Sequence, residues 1–380
     1  MCKLAQKMLS FYLLFACFYF LTLLGLKSYW ERQAQNYSEL RTENLSASLL
    51  IPFRNEAENL PSLIFQLKKL SDPNLEILLI NDHSEDDSFE ILLEAFRENH
   101  RVQVISSIGE GKKAALGTGV NLAKGELILT TDVDCVFPEN WVEQIKTAFS
   151  SPQTQLVAGP VQVLGRNNLF NEFQKLDWAS IALVTHYSFE DQNPLMCSAA
   201  NLAFRKSAFL AVDGYKGNEN YLSGDDEFLL KKIQSQFGPG SCVYLKNPES
   251  LVLTQAEESW GKLLNQRARW ASKWDKHQSF SHSIAGLIPF LIQLVWLSSV
   301  ILLFEGWMGI LIFLGIWTIK FFTEWMTLEK VLSSFKLPIS KRGILFTTFT
   351  HPFYVLLVGM KSLSGNGYWK GRKIVNKSLA

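Results

Sequence analysis

The chain has 380 residues, with 37 basic and 36 acidic side chains and a net charge of +1. No global field of either sign marks a nucleic-acid binder, so nucleic acid is excluded as a partner. The length supports a sizeable core and more than one domain. The hydrophobic fraction of 47% is ordinary in size but unevenly spread along the chain.

After a short tail (1–8), residues 9–26 read LSFYLLFACFYFLTLLGL, a run without charge. Its length matches a bilayer hydrocarbon core of about 30 Å. Lys3 and Lys7 ahead of it are also a feature of signal peptides, but the bulky, charged GLKSYWERQ follows where small residues would mark a cleavage site. An uncleaved transmembrane anchor is therefore expected, followed by a polar linker over 27–45 and a soluble domain over 46–280.

Within that domain, strand and helix patterns alternate. ASLLIPF, LEILLIND, RVQVIS and ELILTTD read as strands, separated by the helical segments AENLPSLIFQLKKL, DDSFEILLEAFRENH and KKAALGTGVNLAKG. Strands rich in Ile, Leu and Val, without polar alternation, suggest parallel strands buried on both faces. Right-handed crossovers would join them into one sheet, and ligands in such sheets bind beyond the carboxyl ends of the strands. PFRNE, NDHS and TDVD all fall at those ends. Any one of them is explained by an ordinary turn; three at one sheet edge point to a site.

TDVD raises the sharpest question. If the segment stays extended, Asp132 and Asp134 face the same way. Two like charges so placed need a cation or a protonated neighbour to offset their repulsion. A solvated turn and a metal site both fit this pair on its own. GEGKKAALG lacks the spacing of a phosphate-binding P-loop, which argues against an ATPase.

Downstream, 284–304 and 307–322 read as two spans joined by a two-residue link, a membrane hairpin. The segment 344–360 is interrupted by three threonines and His351-Pro352, and is expected to be either transmembrane or re-entrant. A basic tail over 361–380 follows. The five cysteines (2, 17, 135, 197 and 242) form no paired spacing and read as reduced thiols of a cytoplasmic domain. A cytoplasmic domain and three further crossings would put the tail outside, yet the tail's five Lys/Arg favour the cytoplasm. That conflict favours a re-entrant 344–360. WGKLLNQRARWASKW (260–274) reads as a basic amphipathic helix suited to a membrane interface or to core packing, with Trp260, Leu263, Leu264, Trp270 and Trp274 as its apolar contacts.

In order, IPFRNEAENL, INDHSEDDS, GKKAAL, TTDVDC, SGDDEFL and QRARW resemble the family-2 glycosyltransferases over residues 46–276. The resemblance implies an α/β GT-A nucleotide-sugar-binding domain with a mostly parallel sheet, flanked here by transmembrane helices. It implies inverting transfer of a hexosyl or N-acetylhexosaminyl group, with Mg²⁺ or Mn²⁺ as the divalent cofactor. Donor binding then falls to Pro52, Glu56, Asp82, Lys112, Asp132, Gln266, Arg269 and Trp270. Asp82 matches the acid that meets a uracil-type base, which suggests a UDP-sugar, although Asn81 stands where a second Asp is common. Asp134 and Asp132 match the metal-binding DxD, and Asn201 matches the acceptor segment. Asp226 falls at the catalytic base, and Asp225 replaces a frequent Glu beside it. A pair of helix-capping acids is the plainer reading of these two.

The chemistry is consistent with this set. A diphosphate leaves readily only when its charge is offset, and a hard cation on oxygen ligands does this. A single carboxylate suffices as base for inversion, whereas hydrolases pair two across the bond. The expected protein is a multi-pass cell-membrane enzyme with a cytoplasmic catalytic domain, serving the cell envelope by moving sugar to a lipid or glycan acceptor. A processive polysaccharide synthase is the alternative within this class. A non-catalytic membrane scaffold would lack the ordered motifs, and a transporter would carry acids in its spans, where only Glu324 is seen, near an end.

Overall fold

A computed structural model describes residues 3–32, 45–218, 224–272, 280–363, 367–369 and 372–374. Most of the expected linker, Trp274 and parts of both tails lie outside the described residues. In chain order, α1 (Lys3–Glu31) precedes β1 (Ala47–Phe53), α2 (Leu60–Lys69), β2 (Leu75–Asn81), α3 (Ser88–Ala95) and β3 (Val102–Ser106). Next come α4 (Lys112–Leu122), β4 (Leu127–Thr130), α5 (Trp141–Ala148), β5 (Leu156–Ala158), β6 (Val161–Leu164) and α6 (Leu169–Glu190). β7 (Leu202–Arg205), α7 (Lys206–Ala211), α8 (Asp225–Phe237), β8 (Cys242–Tyr244) and β9 (Val252–Gln255) follow. The helices α9 (Trp260–Ala271), α10 (Phe280–Ser298), α11 (Gly306–Ser334) and α12 (Lys341–Leu363) come last.

These elements form two compact units. One contains Gln33–Leu164 and Thr185–Gln255; the other contains Met1–Arg32, Gly165–Val184 and Ala256–Ala380. The stretch expected as one domain over 46–280 therefore divides, because 165–184 and the segment from 256 onward pack with the hydrophobic helices. In that helical unit, the aromatic residues Phe170 and Phe173 of α6 and Tyr354 of α12 surround Trp260 of α9. Leu263 and Leu264 join the same cluster. The apolar face of α9, which the sequence offered to a membrane interface, is thus packed on α6 and α12.

The first unit is built on a seven-stranded sheet of order β3-β2-β1-β4-β7-β5-β8. β3, β2, β1 and β4 are mutually parallel neighbours. β7 runs antiparallel between β4 and β5, and β8 is parallel to β5. The sheet is mostly parallel, as expected. Leu49, Leu50 and Ile51 of β1 and Leu78, Leu79 and Ile80 of β2 are buried without alternation, because both sheet faces are covered. β6 and β9 form a separate parallel pair.

In the second unit, four helices among the described residues are long and apolar enough to cross a membrane: Gln6–Glu31, Gly286–Phe304, Gly306–Ser334 and Lys341–Leu363. Leu9, Tyr12, Ala16 and Tyr19 of α1 recur every three or four positions and pack on Trp296, Ile316 and Trp317. α12 is one unbroken helix through Pro352, so it lacks the reversal that a re-entrant course over 344–360 requires. α11 runs well beyond the expected span 307–322, which places Glu324 inside the helix instead of near its end. Glu324 accepts hydrogen bonds from Tyr19 Oη (2.7 Å), Lys320 Nζ (2.5 Å) and Thr348 Oγ1 (2.8 Å). Lys320 itself is completely buried, at 0% exposure.

Removing one partner of such a pair strands the other charge, whereas replacing both can be neutral. Glu324→Ala is expected to destabilise the helical unit by about 3–5 kcal/mol. The double change Lys320→Met with Glu324→Leu should lose less, about 1–3 kcal/mol, because it strands the neutral Tyr19 and Thr348 hydroxyls but no charge. Thermal unfolding in detergent compares them, and equal stability of parent and Glu324→Ala would contradict the expectation.

Candidate active site

The carboxyl ends of β1, β2 and β4 lie on one edge because the three strands are parallel neighbours. Asp82 N donates to Phe53 O at 2.8 Å, which carries the β1–β2 ladder into the loops. Arg54 Nη1 donates to the carbonyls of Asp82 and His83, tying the two loops together. Asn81, where the resemblance would place a second acid, accepts from Ser84 N at 2.9 Å and so shapes the turn. Glu56 anchors the first loop: its backbone N donates to Ser88 Oγ and its carboxylate accepts from Asn59 Nδ2. Pro52 is half-buried near the end of β1.

Asp82 is buried and accepts from Gly111 N at 2.7 Å. Gly111 is the N-cap of α4 with φ +94°, a conformation that side chains rarely adopt and glycine permits. This turn starts α4 at Lys112, whose Nζ meets Asp132 Oδ1 at 2.6 Å. Burial alone would lower the pKa of this ammonium. The charges of Asp132, Asp225 and Asp226 outweigh burial and push it above its ordinary value. Lys112 is therefore the point at which the DxD and the acids of α8 meet electrostatically.

β4 ends at Thr130, so the condition that Asp132 and Asp134 continue an extended strand is not met. They sit in a turn closed by Cys135 N donating to Asp132 O at 3.2 Å. The turn still leaves the two acids close enough to repel. Burial and the charges of Asp132 and Glu56 push the Asp134 carboxyl up, against a hydrogen bond from Thr254 Oγ1 at 3.0 Å. Thr254 is placed by β9, where Val136 and Leu253 exchange backbone hydrogen bonds of 2.7 and 2.8 Å. Among the described residues, no three or more His, Cys, Asp or Glu side chains form a metal site by themselves. Two repelling carboxylates suit an ion that takes one or two protein carboxylates and completes its shell with water and phosphate oxygens. The donor set fits Mg²⁺ or Mn²⁺ in that role.

Thr130 and Thr131 donate to the carbonyls of Ala199 and Ala200 at 2.7 and 2.9 Å, locking the 199–201 turn beside the end of β4. Ala199 N in turn donates to Asp226 Oδ2 at 3.1 Å, and Glu227 N donates to Asp226 Oδ1 at 2.8 Å. Asp226 is half-buried, whereas Asp225 is only 6% exposed. The capping reading does not hold, because the N-cap of α8 is Gly224, with a left-handed φ of +88° and no side-chain cap. Asp225 is the first residue of the helix proper.

Asn201 is a correction. It is 0% exposed, and its amide is used entirely within the protein. Its Oδ1 accepts from Trp141 Nε1 at 3.0 Å, and its Nδ2 donates to Pro160 O and Ser250 O at 2.8 and 2.7 Å. A side chain so enclosed braces the site and does not touch an acceptor. Asn201→Ala is expected to cost at least about 3 kcal/mol of stability, since it leaves three buried partners unsatisfied. The unfolding midpoint checks this; an unchanged midpoint would return Asn201 to the candidates for acceptor contact.

Gln266, Arg269 and Trp270 lie on α9 and belong to the other unit. Gln266 Nε2 donates to Glu257 Oε1 at 2.7 Å, and Trp270 meets Trp178 edge to face at 5.4 Å. Gly111, Thr254 and Gly224 were not singled out from sequence. Only Gly111, a glycine directly before a lysine at a helix start, offered a readable signal.

The sequence pattern of Glycosyl transferase family 2 matches residues 48–212. Poly-beta-1,6-N-acetyl-D-glucosamine synthase of Staphylococcus epidermidis is 25% identical over 233 residues, covering 59% of this chain and 53% of the relative. The chain thus spans about half the length of that relative. A solved mannosyltransferase, PcManGT from Pyrobaculum calidifontis in complex with GDP-Man and Mn²⁺, superposes with a TM-score of 0.56 at 13% identity. The superposition covers 94% of this chain and 97% of that one, a likeness of fold. Glycosyltransferase GlyG of Streptococcus pneumoniae serotype 4 is 30% identical over 236 residues, covering 57% of this chain and 75% of GlyG. With a relative of that identity matched over three quarters of its length, and with a mostly parallel GT-A sheet, the chain belongs to glycosyl transferase family 2.

Proposed function

We propose that the protein is an inverting glycosyltransferase that moves a hexosyl or N-acetylhexosaminyl group from a nucleotide sugar to a lipid or lipid-linked acceptor at the cytoplasmic membrane face. The observation that carries this reading is the Lys112–Asp132 ion pair of 2.6 Å beside Asp134 at the carboxyl edge of the parallel sheet, with Asp226 bonded to the 199–201 turn that Thr130 locks to the same edge. Asp82 and Glu56 line the loops where the nucleoside of a UDP-sugar would lie. The four long apolar helices support a membrane acceptor, and the cytoplasmic supply of nucleotide sugars places the sheet unit on that side.

Asp134 and Asp132 would hold a divalent ion, which would supply a positive charge to offset that of the departing diphosphate. Lys112 adds a fixed positive charge at the same place. Asp226 accepts the proton of the acceptor hydroxyl as its oxygen bonds to the anomeric carbon and the bond to the diphosphate breaks. The resemblance assigns Gln266, Arg269 and Trp270 of α9 to donor binding.

The test incubates the purified full chain with a panel of UDP- and GDP-sugars, Mg²⁺ or Mn²⁺, and membrane lipids. Release of nucleoside diphosphate together with a glycosylated lipid supports the proposal; no transfer with any donor would favour a scaffold. The similarity to a polysaccharide synthase favours a second reading, processive synthesis. A product ladder of many sugar units would establish that alternative, and a single added sugar would exclude it.

A further inference from the structure

The helical unit contains a buried charged cluster around a residue inside the QRARW stretch that the sequence reading passed over. Asp177 on α6 and Arg267 on α9 are each only 6% exposed. Arg267 Nε donates to Asp177 Oδ2 at 2.9 Å, and its terminal Nη2 lies 2.8 Å from the same oxygen. α12 supplies two more partners. Tyr354 Oη donates to Asp177 Oδ2 at 3.3 Å, and His351 Nε2 lies 3.7 Å from Asp177 Oδ1. Burial would raise the Asp177 carboxyl, but the Arg267 charge and the neighbouring His351 outweigh it and hold the acid below the usual carboxylate range.

The other side of the guanidinium faces the motif residues. Its centre lies 4.2 Å from the ring of Trp270 and 5.1 Å from that of Trp178. Arg267 Nη1 also donates to Gln266 Oε1. One buried guanidinium therefore touches two of the three motif side chains, Gln266 and Trp270, while Asp177 fixes its orientation. A planar fork can bond a carboxylate along its edge and lie against indoles with its face at the same time; a lysine ammonium cannot.

We propose that Asp177 and Arg267 are positioning residues for sugar transfer, holding the Trp270 indole and the Gln266 amide in their working orientation, with Tyr354 and His351 tying that orientation to α12. The proposal rests on the reading of Gln266 and Trp270 as donor-binding groups. A buried ion pair contributes little net stability compared with apolar residues of similar volume. Position can therefore be separated from stability by replacing both partners together.

The experiment uses the full chain in detergent with 5-fluorotryptophan at its 11 tryptophans, the Trp270 resonance being identified by its loss in Trp270→Phe. Two variants are compared with the parent: Arg267→Lys, and Asp177→Leu combined with Arg267→Met. In both, the ¹⁹F resonance of Trp270 is expected to shift or broaden. kcat should fall by about 10²-fold, the scale expected of a small misplacement of reacting groups, and donor KM should rise, since Gln266 and Trp270 are read as donor-binding groups. The double variant strands the Tyr354 hydroxyl and the Gln266 carbonyl but no charge, so its unfolding midpoint should fall less than that of Asp177→Leu alone, and turnover is normalised to folded protein. An unmoved Trp270 resonance in both variants overturns the proposal, as does a moved resonance with parental kcat. A parent that turns over none of the UDP- and GDP-sugars, while its Trp270 resonance still moves in the variants, counts against the transferase reading and upholds the positioning contact.

Discussion

Asp134→Ala is expected to lower turnover by about 10³-fold or more, since the charge offset supplied by a bound divalent ion amounts to several kcal/mol. Metal-dependent binding of the nucleotide sugar should disappear with it. The fold should not suffer, and the reason is visible in the site. Asp134 is pushed up by burial and by the negative charges of Asp132 and Glu56, with the Thr254 hydroxyl in partial compensation. Its removal relieves repulsion and strands one hydroxyl, a cost of about 1–3 kcal/mol at most. Asp132→Ala is a different perturbation, because it deprives the half-buried Lys112 of the carboxylate 2.6 Å away. Turnover, donor binding with and without Mn²⁺, and the unfolding midpoint separate these effects. Full activity of Asp134→Ala, or of the parent in excess chelator, would remove the DxD from the mechanism.

The parallel half of the sheet was legible because its strands are buried on both faces. β1 occupies the whole of ASLLIPF, and β2 and β3 begin and end within a residue of their apolar runs. β7 was not legible: LAFR is short, and its antiparallel place between β4 and β5 depends on partners far away in the chain. The division of 46–280 was hidden for a related reason. Nothing local in α6 shows that Phe173 will pack against Tyr354, almost half the chain away. Glu324 was misplaced because apolar content defines a span, whereas α11 continues through its polar residues by satisfying them with Tyr19, Lys320 and Thr348.

The charged members of the candidate site were legible, since acids clustered at strand ends stand out in the sequence. Their supports did not. Thr254 is a neutral residue in a short strand, and its role appears only once β9 pairs with Val136. Asn201 shows the opposite failure. An amide in a recognisable motif suggests contact with a ligand, yet here it holds Trp141 and two carbonyls inside the protein. Arg267 looked like one more basic residue on an amphipathic helix until Asp177 was found beside it.

If Asp226 is the proposed base, Asp226→Asn is expected to lower turnover by about 10²-fold or more, because it removes the proton acceptor. Donor affinity should change little, since the proposal assigns donor binding to the DxD, Lys112 and the Asp82 loop. The substitution is not silent for structure. Asp226 takes one backbone N–H on each oxygen, from Ala199 and Glu227, and an asparagine can accept only one of them while turning its amide nitrogen toward the other. A stability loss of about 1–3 kcal/mol is therefore expected beside the catalytic one, and turnover must be normalised to folded protein. Asp225→Asn probes the neighbouring acid. Asp225 is buried, does not cap α8, and acts on Lys112 through its charge. Its neutralisation should weaken the field that holds the Lys112 proton, with a smaller effect on turnover than Asp226→Asn. The deciding measurement is turnover at saturating donor, paired with donor binding in the absence of acceptor. A larger loss in Asp225→Asn than in Asp226→Asn would move the base one residue earlier. Equal, mild losses in both would show that neither acid takes the proton.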